Sequence, residues 1–221
     1  MRAPLPSPRA SASPVHAFGL RALVLAALAV GESRIEALPD DAAVAALAAA
    51  LRSMGASVDR VEGIWRVRGV GTGSLVQPDD VLAVESDTAA ALLLGLAASQ
   101  AITVTLAGPA LLDSDLLAAL GTMGADITAS PGGCLPLMVR GLCPAVPLAR
   151  DVADDGPLAW ALLVAGLNAP GETRLRLPDA TTFDTTLLAA FGVPFDWIGT
   201  TLVLRGEAEL RPAVIRCPAA A

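Results

Sequence analysis

The chain has 221 residues, 54% of them apolar and 17% charged, and it carries a formal net charge of −7. Those values describe a folded chain with a sizeable core and exclude a disordered or fibrous one. All 15 basic residues are arginine and only 3% of residues are aromatic. Such a chain offers neither the basic face nor the stacking platform that nucleic acid or an anionic membrane requires.

Residues 1–14, with four prolines and three serines, are expected to form a flexible lead-in, with His16 a surface residue at its edge. Arg2 and Arg9 stand ahead of the apolar run Leu23 to Val30, a pattern that imitates a short export signal. Arg21 interrupts the apolar region that such a signal would need, and similar apolar stretches recur at Thr88 to Ala98 and Leu158 to Asn168. All three are therefore read as core helices rather than as a signal or a membrane span. A strand follows each, at Ser33 to Leu38, Ile102 to Leu106 and Thr173 to Leu177. Arg174 and Arg176 alternate with Leu175 and Leu177 at the period of a half-buried strand.

A second helix is expected after Pro39-Asp40, Asp113-Ser114 and Pro178-Asp179, where short polar groups can accept the free N–H groups of a first turn. These helices end at Met54-Gly55-Ala56, Met123-Gly124-Ala125 and Phe191-Gly192-Val193, with glycine suited to a left-handed C′ position. Hairpin signals follow at Glu62-Gly63, Pro131-Gly132-Gly133 and Ile198-Gly199, and the units close on Arg68-Gly69, Arg140-Gly141 and Arg205-Gly206. Two markers with a common spacing of about seventy residues identify one α-β-α-β-β unit written three times. The copies span about 15–72, 73–145 and 146–208. Residues 209–221 hold too little sequence for another copy and are expected to be a tail.

The three cysteines, Cys134, Cys143 and Cys217, are odd in number and lack metal-ligand spacing, and His16 is the only histidine. Reduced thiols in a cytoplasmic protein are the expectation, with no metal and no cofactor. Asp154-Asp155 reads as a solvated loop ahead of Pro157 rather than a metal site. Trp65, Trp160 and Trp197 read as core or sheet residues.

Arg21 to Ala29 running into Gly31-Glu32-Ser33 resembles the start of 5-enolpyruvylshikimate-3-phosphate synthase (3-phosphoshikimate 1-carboxyvinyltransferase). So do Leu162 to Leu167 leading into Gly171-Glu172-Thr173, and Ala190-Phe191-Gly192. The resemblance covers about residues 13 to 206. It implies an α/β (α+β) fold: one lobe of an inside-out α/β barrel, built from three copies of a β-α-β-α-β-β unit. Family members have two such lobes with the active site between them, and the sequence corresponds to one. By resemblance the ligands are shikimate-3-phosphate and phosphoenolpyruvate, and the partner is a second lobe.

Two anionic substrates held in one cleft call for basic forks on the phosphates and for a carboxylate and a lysine to move protons. The family's Lys-Ser-x-Ser-x-Arg motif falls on His16, Ala17, Phe18, Gly19, Leu20 and Arg21, so only the arginine remains. The Asn-Ser-Gly-Thr loop falls on Glu85, Ser86, Asp87 and Thr88, and an arginine three residues further on becomes Ala91. An arginine-rich segment becomes Leu111-Leu112-Asp113-Ser114-Asp115. The Ser-Ala-Gln motif falls on Asp155-Gly156-Pro157, and Ser-Arg-Asp-His-Thr on Ala180 to Asp184. Arg21, Ser86 and Thr88 are thus the residual substrate-binding positions, and no catalytic residue is expected. Losing one charged fork from a buried phosphate site costs several kcal/mol, so the lobe is expected to be inactive by itself. The alternatives are half of a split enzyme, or a binding module that uses Glu85, Asp87, Asp154 and Asp155 toward a neutral or cationic ligand. The related folds of UDP-N-acetylglucosamine enolpyruvyl transferase and RNA 3′-phosphate cyclase remain as further readings.

Overall fold

The computed structural model describes residues 13–219. Three apolar helices, α1 (Pro14–Leu28), α3 (Asp87–Ala98) and α5 (Pro157–Gly166), are the elements anticipated from the apolar runs. They have no polar face: every residue of α3 from Thr88 to Ala98 is buried. A helix that is apolar all round has no place on a surface. The three therefore occupy the centre, and the sheets lie outside them. At 12 residues α3 is about 18 Å long, against about 30 Å for a bilayer core. No helix among the described residues is long and apolar enough to cross a membrane.

Each sheet has four strands in one equivalent order. The first runs β12 (Val214–Arg216), β1 (Gly31–Glu36), β3 (Ile64–Gly69), β2 (Ser57–Val61). The second runs β4 (Leu82–Ala83), β5 (Thr103–Ala107), β7 (Leu137–Arg140), β6 (Asp126–Ala129). The third runs β8 (Ala149–Asp151), β9 (Glu172–Arg176), β11 (Thr201–Arg205), β10 (Phe195–Ile198). In every sheet the first pair is parallel and the other two are antiparallel. The unit is thus β-α-β-α-β-β, with a leading parallel strand that the residue pattern alone did not reveal. Thr173 and Leu175 of β9 point inward while Arg174 and Arg176 face water.

The second helices are α2 (Ala42–Ser53), α4 (Ser114–Thr122) and α6 (Thr186–Ala190). All three close identically. The N–H groups of Ala56, Ala125 and Val193 reach back to the carbonyls of Leu51, Leu120 and Leu188. The intervening Gly55, Gly124 and Gly192 take φ of 101°, 102° and 69°. This is the Schellman closure, and a Cβ at those angles would be strained.

Two expectations are corrected. The third copy does not start a full helix after Pro178-Asp179. Asp179 instead caps a single 3-10 turn at Ala180–Thr182, and α6 has only five residues. Nor is the segment after residue 208 a tail. It supplies β12, which pairs with β1 in parallel, Arg34 opposite Val214 and Glu36 opposite Arg216. The end of the chain thus provides the leading strand of the first copy. Of the expected lead-in, residues 1–12 lie outside the described residues, while Ser13 caps α1 and Pro14 begins it. His16 is accordingly in a first helical turn, with Nδ1 3.1 Å from an Asp41 carboxylate oxygen.

Candidate functional site

The connections into α2–α6 follow the carboxyl ends of the parallel strands. His16 in the first turn of α1 lies beside Asp41, the N-cap of α2, so the helix N-termini gather at one end of the lobe. Ligands of α/β folds bind at such ends because unpaired N–H groups point into the space beyond them. Here much of that space is occupied by the chain's own acceptors. Asp41 Oδ1 accepts from the N–H groups of Ala43 and Val44, both at 3.0 Å. Asp113 accepts from Asp115 at 2.9 Å, Asp179 from Thr181 at 2.9 Å and Asp184 from Thr186 at 2.9 Å. Part of the acidity of this face therefore has a structural cause: Asp41 and Asp113 cap helices, each cap being worth about 1 kcal/mol, and Asp179 and Asp184 hold turns.

Ser86 serves in the same way. Its Oγ accepts from the Ala89 N–H at 3.2 Å as the N-cap of α3. Thr88 is buried at the start of that helix. Asp87 Oδ1 accepts from the Leu111 N–H at 2.8 Å, tying α3 to the loop before α4. Asp87, Asp113 and Asp154 line a cavity of about 320 Å3 whose remaining wall is apolar, with Leu111, Leu116 and Leu158 prominent.

Arg21 is the other candidate, and its surroundings decide what this end of the molecule can do. It is only 8% exposed. Nη1 donates to Asp155 Oδ2 at 3.0 Å, and Nη2 donates to the Asp155 carbonyl. The guanidinium lies over the Trp160 ring, 4.7 Å from its centroid, and Trp160 stacks on Phe183 with centroids 5.7 Å apart. Trp160 Nε1 donates to Asp155 Oδ1. Burial pushes the Asp155 carboxyl above its ordinary range and pulls the Arg21 guanidinium below its own. Both shifts have the cause expected of ions withdrawn from water.

Asp155 is therefore not the solvated loop residue expected from its neighbours, and its partner Arg21 is buried with it. Their pairing was hidden because 134 residues separate them. The available signal was that a buried arginine needs a counter-charge. Among the described residues there is no group of three or more acidic, histidine or cysteine side chains placed to hold a metal ion.

The pH response follows from the signs of the shifts. The exposed Asp151 and Glu172 carboxyls are depressed chiefly by hydrogen bonds from Arg176 and Arg174, and that of Asp179 by the Thr181 N–H. Depressed groups add stability that is fully present above the unfolded carboxylate range and is lost as pH falls through their folded values. The raised Asp155 acts oppositely, its contribution declining as pH rises from the unfolded toward the folded value. We expect a thermal midpoint that is flat near neutrality and falls below about pH 4, less steeply in high salt or in Arg176→Ala. A midpoint independent of pH down to about pH 3 would contradict the assignment of these exposed carboxylates.

A family model described as EPSP synthase (3-phosphoshikimate 1-carboxyvinyltransferase) matches residues 12–219. The chain belongs to the EPSP synthase family. It is 45% identical over 215 residues to the 3-phosphoshikimate 1-carboxyvinyltransferase of Sphingopyxis alaskensis and 42% identical over 211 residues to that of Novosphingobium aromaticivorans. Each alignment covers 90% of this chain and 48% of the relative. An EPSP synthase structure from Acinetobacter baumannii superposes with a TM-score of 0.80 at 25% identity, covering 94% of this chain and 48% of that one. The enolpyruvyl transferase NikO from Streptomyces tendae shares the fold at a TM-score of 0.68 and 20% identity. The chain thus spans about half the length of the EPSP synthases it matches, which corresponds to one lobe of the enolpyruvyl transferase fold.

Proposed function

We propose that this lobe keeps the EPSP synthase scaffold without its substrate machinery and is catalytically silent by itself. The observation that carries the reading is the engagement of Arg21. The one basic group retained from the first family motif has its charge matched by Asp155 and its face covered by Trp160. Ser86 caps a helix, and Glu85, Asp87, Asp113 and Asp154 lie at the end of the lobe where anionic ligands would approach. Two like charges about 4 Å apart repel by about 4 kcal/mol at an effective dielectric of 20, nearly a thousandfold in affinity.

Calorimetric titration at low salt should give no heat with shikimate-3-phosphate or phosphoenolpyruvate at millimolar concentration, and the two together should give no turnover. Low salt matters because screening would hide a weak interaction.

A second reading, in which another lobe completes the site, draws support from the half-length coverage of the relatives. A measurable heat of shikimate-3-phosphate binding would favour it over the silent scaffold. Arg21→Ala should then abolish that heat.

A further inference from the structure

The Asp155 carboxylate is held the way a protein holds a small anionic ligand. Its donors come from separate elements: Arg21 on α1 and Trp160 on α5. Arg21 and Trp160 sit in helices of the first and third copies, and Phe183 backs the Trp160 ring. Arg21 is more than nine-tenths buried, and its Nε has no hydrogen-bond partner. A guanidinium offers five N–H donors, so one carboxylate and one carbonyl leave its capacity unfilled. The donors are fixed in helices and an aromatic stack, whereas Asp155 lies in the loop just before α5 and its N-cap, Gly156.

We propose that Asp155 is an internal ligand that occupies, and so closes, a carboxylate-sized anion site formed by Arg21 and Trp160. The site is preorganised: removing the Asp155 side chain leaves the donors in place and the buried Arg21 charge without its counter-ion. A small free carboxylate, formate or acetate, then has a place to bind. The inference concerns only this cluster and holds whether the lobe acts alone or with a second one, so its failure would leave the silent-scaffold reading standing.

The test is Asp155→Ala, followed by thermal unfolding in sodium formate or acetate against sodium chloride at matched ionic strength. Leaving one partner of a buried ion pair uncompensated should lower the midpoint by roughly 10 °C. Formate should restore at least half of that loss, with the midpoint rising as the logarithm of concentration above the dissociation constant. The wild-type protein should show no carboxylate-specific shift, because its site is filled. Adding Arg21→Met to Asp155→Ala should remove the response to formate.

Equal midpoints of Asp155→Ala in formate and chloride would overturn the proposal, as would a formate response of the same size in the wild-type protein. Should Asp155→Ala fail to fold in chloride, it is refolded in formate. Recovery of native circular dichroism in formate alone supports the site, and equal yields in the two salts, including none in either, refute it.

Discussion

A chain ending at Ala208 should fail to fold cooperatively, although it retains every element of the three units read from the sequence. The segment removed holds β12 and the buried side chains of Leu210, Ile215 and Cys217. Burying Leu210 and Ile215 is worth about 1.5–3 kcal/mol each. The backbone connections also go: Val30 N–H to the Leu210 carbonyl at 3.3 Å, Arg34 N–H to that of Ala213 at 2.9 Å, and Cys217 N–H to that of Glu36 at 2.9 Å. Together these losses rival the 5–15 kcal/mol that holds a typical domain. The edge of β1 would in addition become an open template for association. Circular dichroism should show a broad transition or none, and size-exclusion chromatography should show aggregates. A peptide of residues 209–221 added in trans should restore a sharp transition, since it carries the whole strand. A truncated protein that melts at the full-length midpoint would refute the closure of the first sheet by the end of the chain.

Gly141→Ala should cost about 3 kcal/mol or more, while Gly121→Ala should stabilise by about 0.5–1 kcal/mol. The same methyl group has opposite effects because of where it lands. At Gly141 a Cβ would sit 2.0 Å from the Ala97 carbonyl oxygen and 2.3 Å from that of Gln100, both backbone atoms that cannot rotate away. The end of α3 would have to move off β7, and α3 is buried against its neighbours on all sides. Gly69 and Gly206 are equally close to backbone carbonyl oxygens, of Ala29 and Ala169, so a methyl should be rejected there too. Gly121 lies within α4 with nothing near its missing Cβ, and alanine there removes only unfolded-chain entropy. Urea unfolding of the two variants checks both signs. Equal stability of Gly141→Ala and the wild-type protein would show that this approach is looser than described.

The steric argument also explains why the Arg-Gly markers were so regular in the sequence. Each glycine is the point where the last strand of a unit passes over the end of that unit's central helix, and only a residue without a side chain fits. The regularity of Gly55, Gly124 and Gly192 has a different cause, the left-handed backbone of a Schellman closure. Both are local demands on single residues, so a period written in glycine was legible without coordinates.

The sequence by itself determined the apolar central helices, the threefold unit and the hairpins, because each rests on short-range periodicity or on one residue type at a fixed place. The enolpyruvyl transferase lobe was legible only through its resemblance to a known family. Only the tertiary structure decided the rest. The leading strands β4, β8 and β12 have two or three residues each and no alternation to read, and they exist because a neighbouring strand offers them an edge. The course of residues 209–219 depends on where a chain that has gone round three sheets meets the open edge of β1. The shortening of α6 reflects the capped turn at Asp179, which uses up the first residues of the helix expected there. At the site, the residues named from the sequence were Arg21, Ser86 and Thr88. What Arg21 does was fixed by Asp155, Trp160 and Phe183, brought to it from more than 130 residues away. A buried guanidinium must find a counter-charge, but which carboxylate supplies it is a property of packing rather than of sequence neighbourhood.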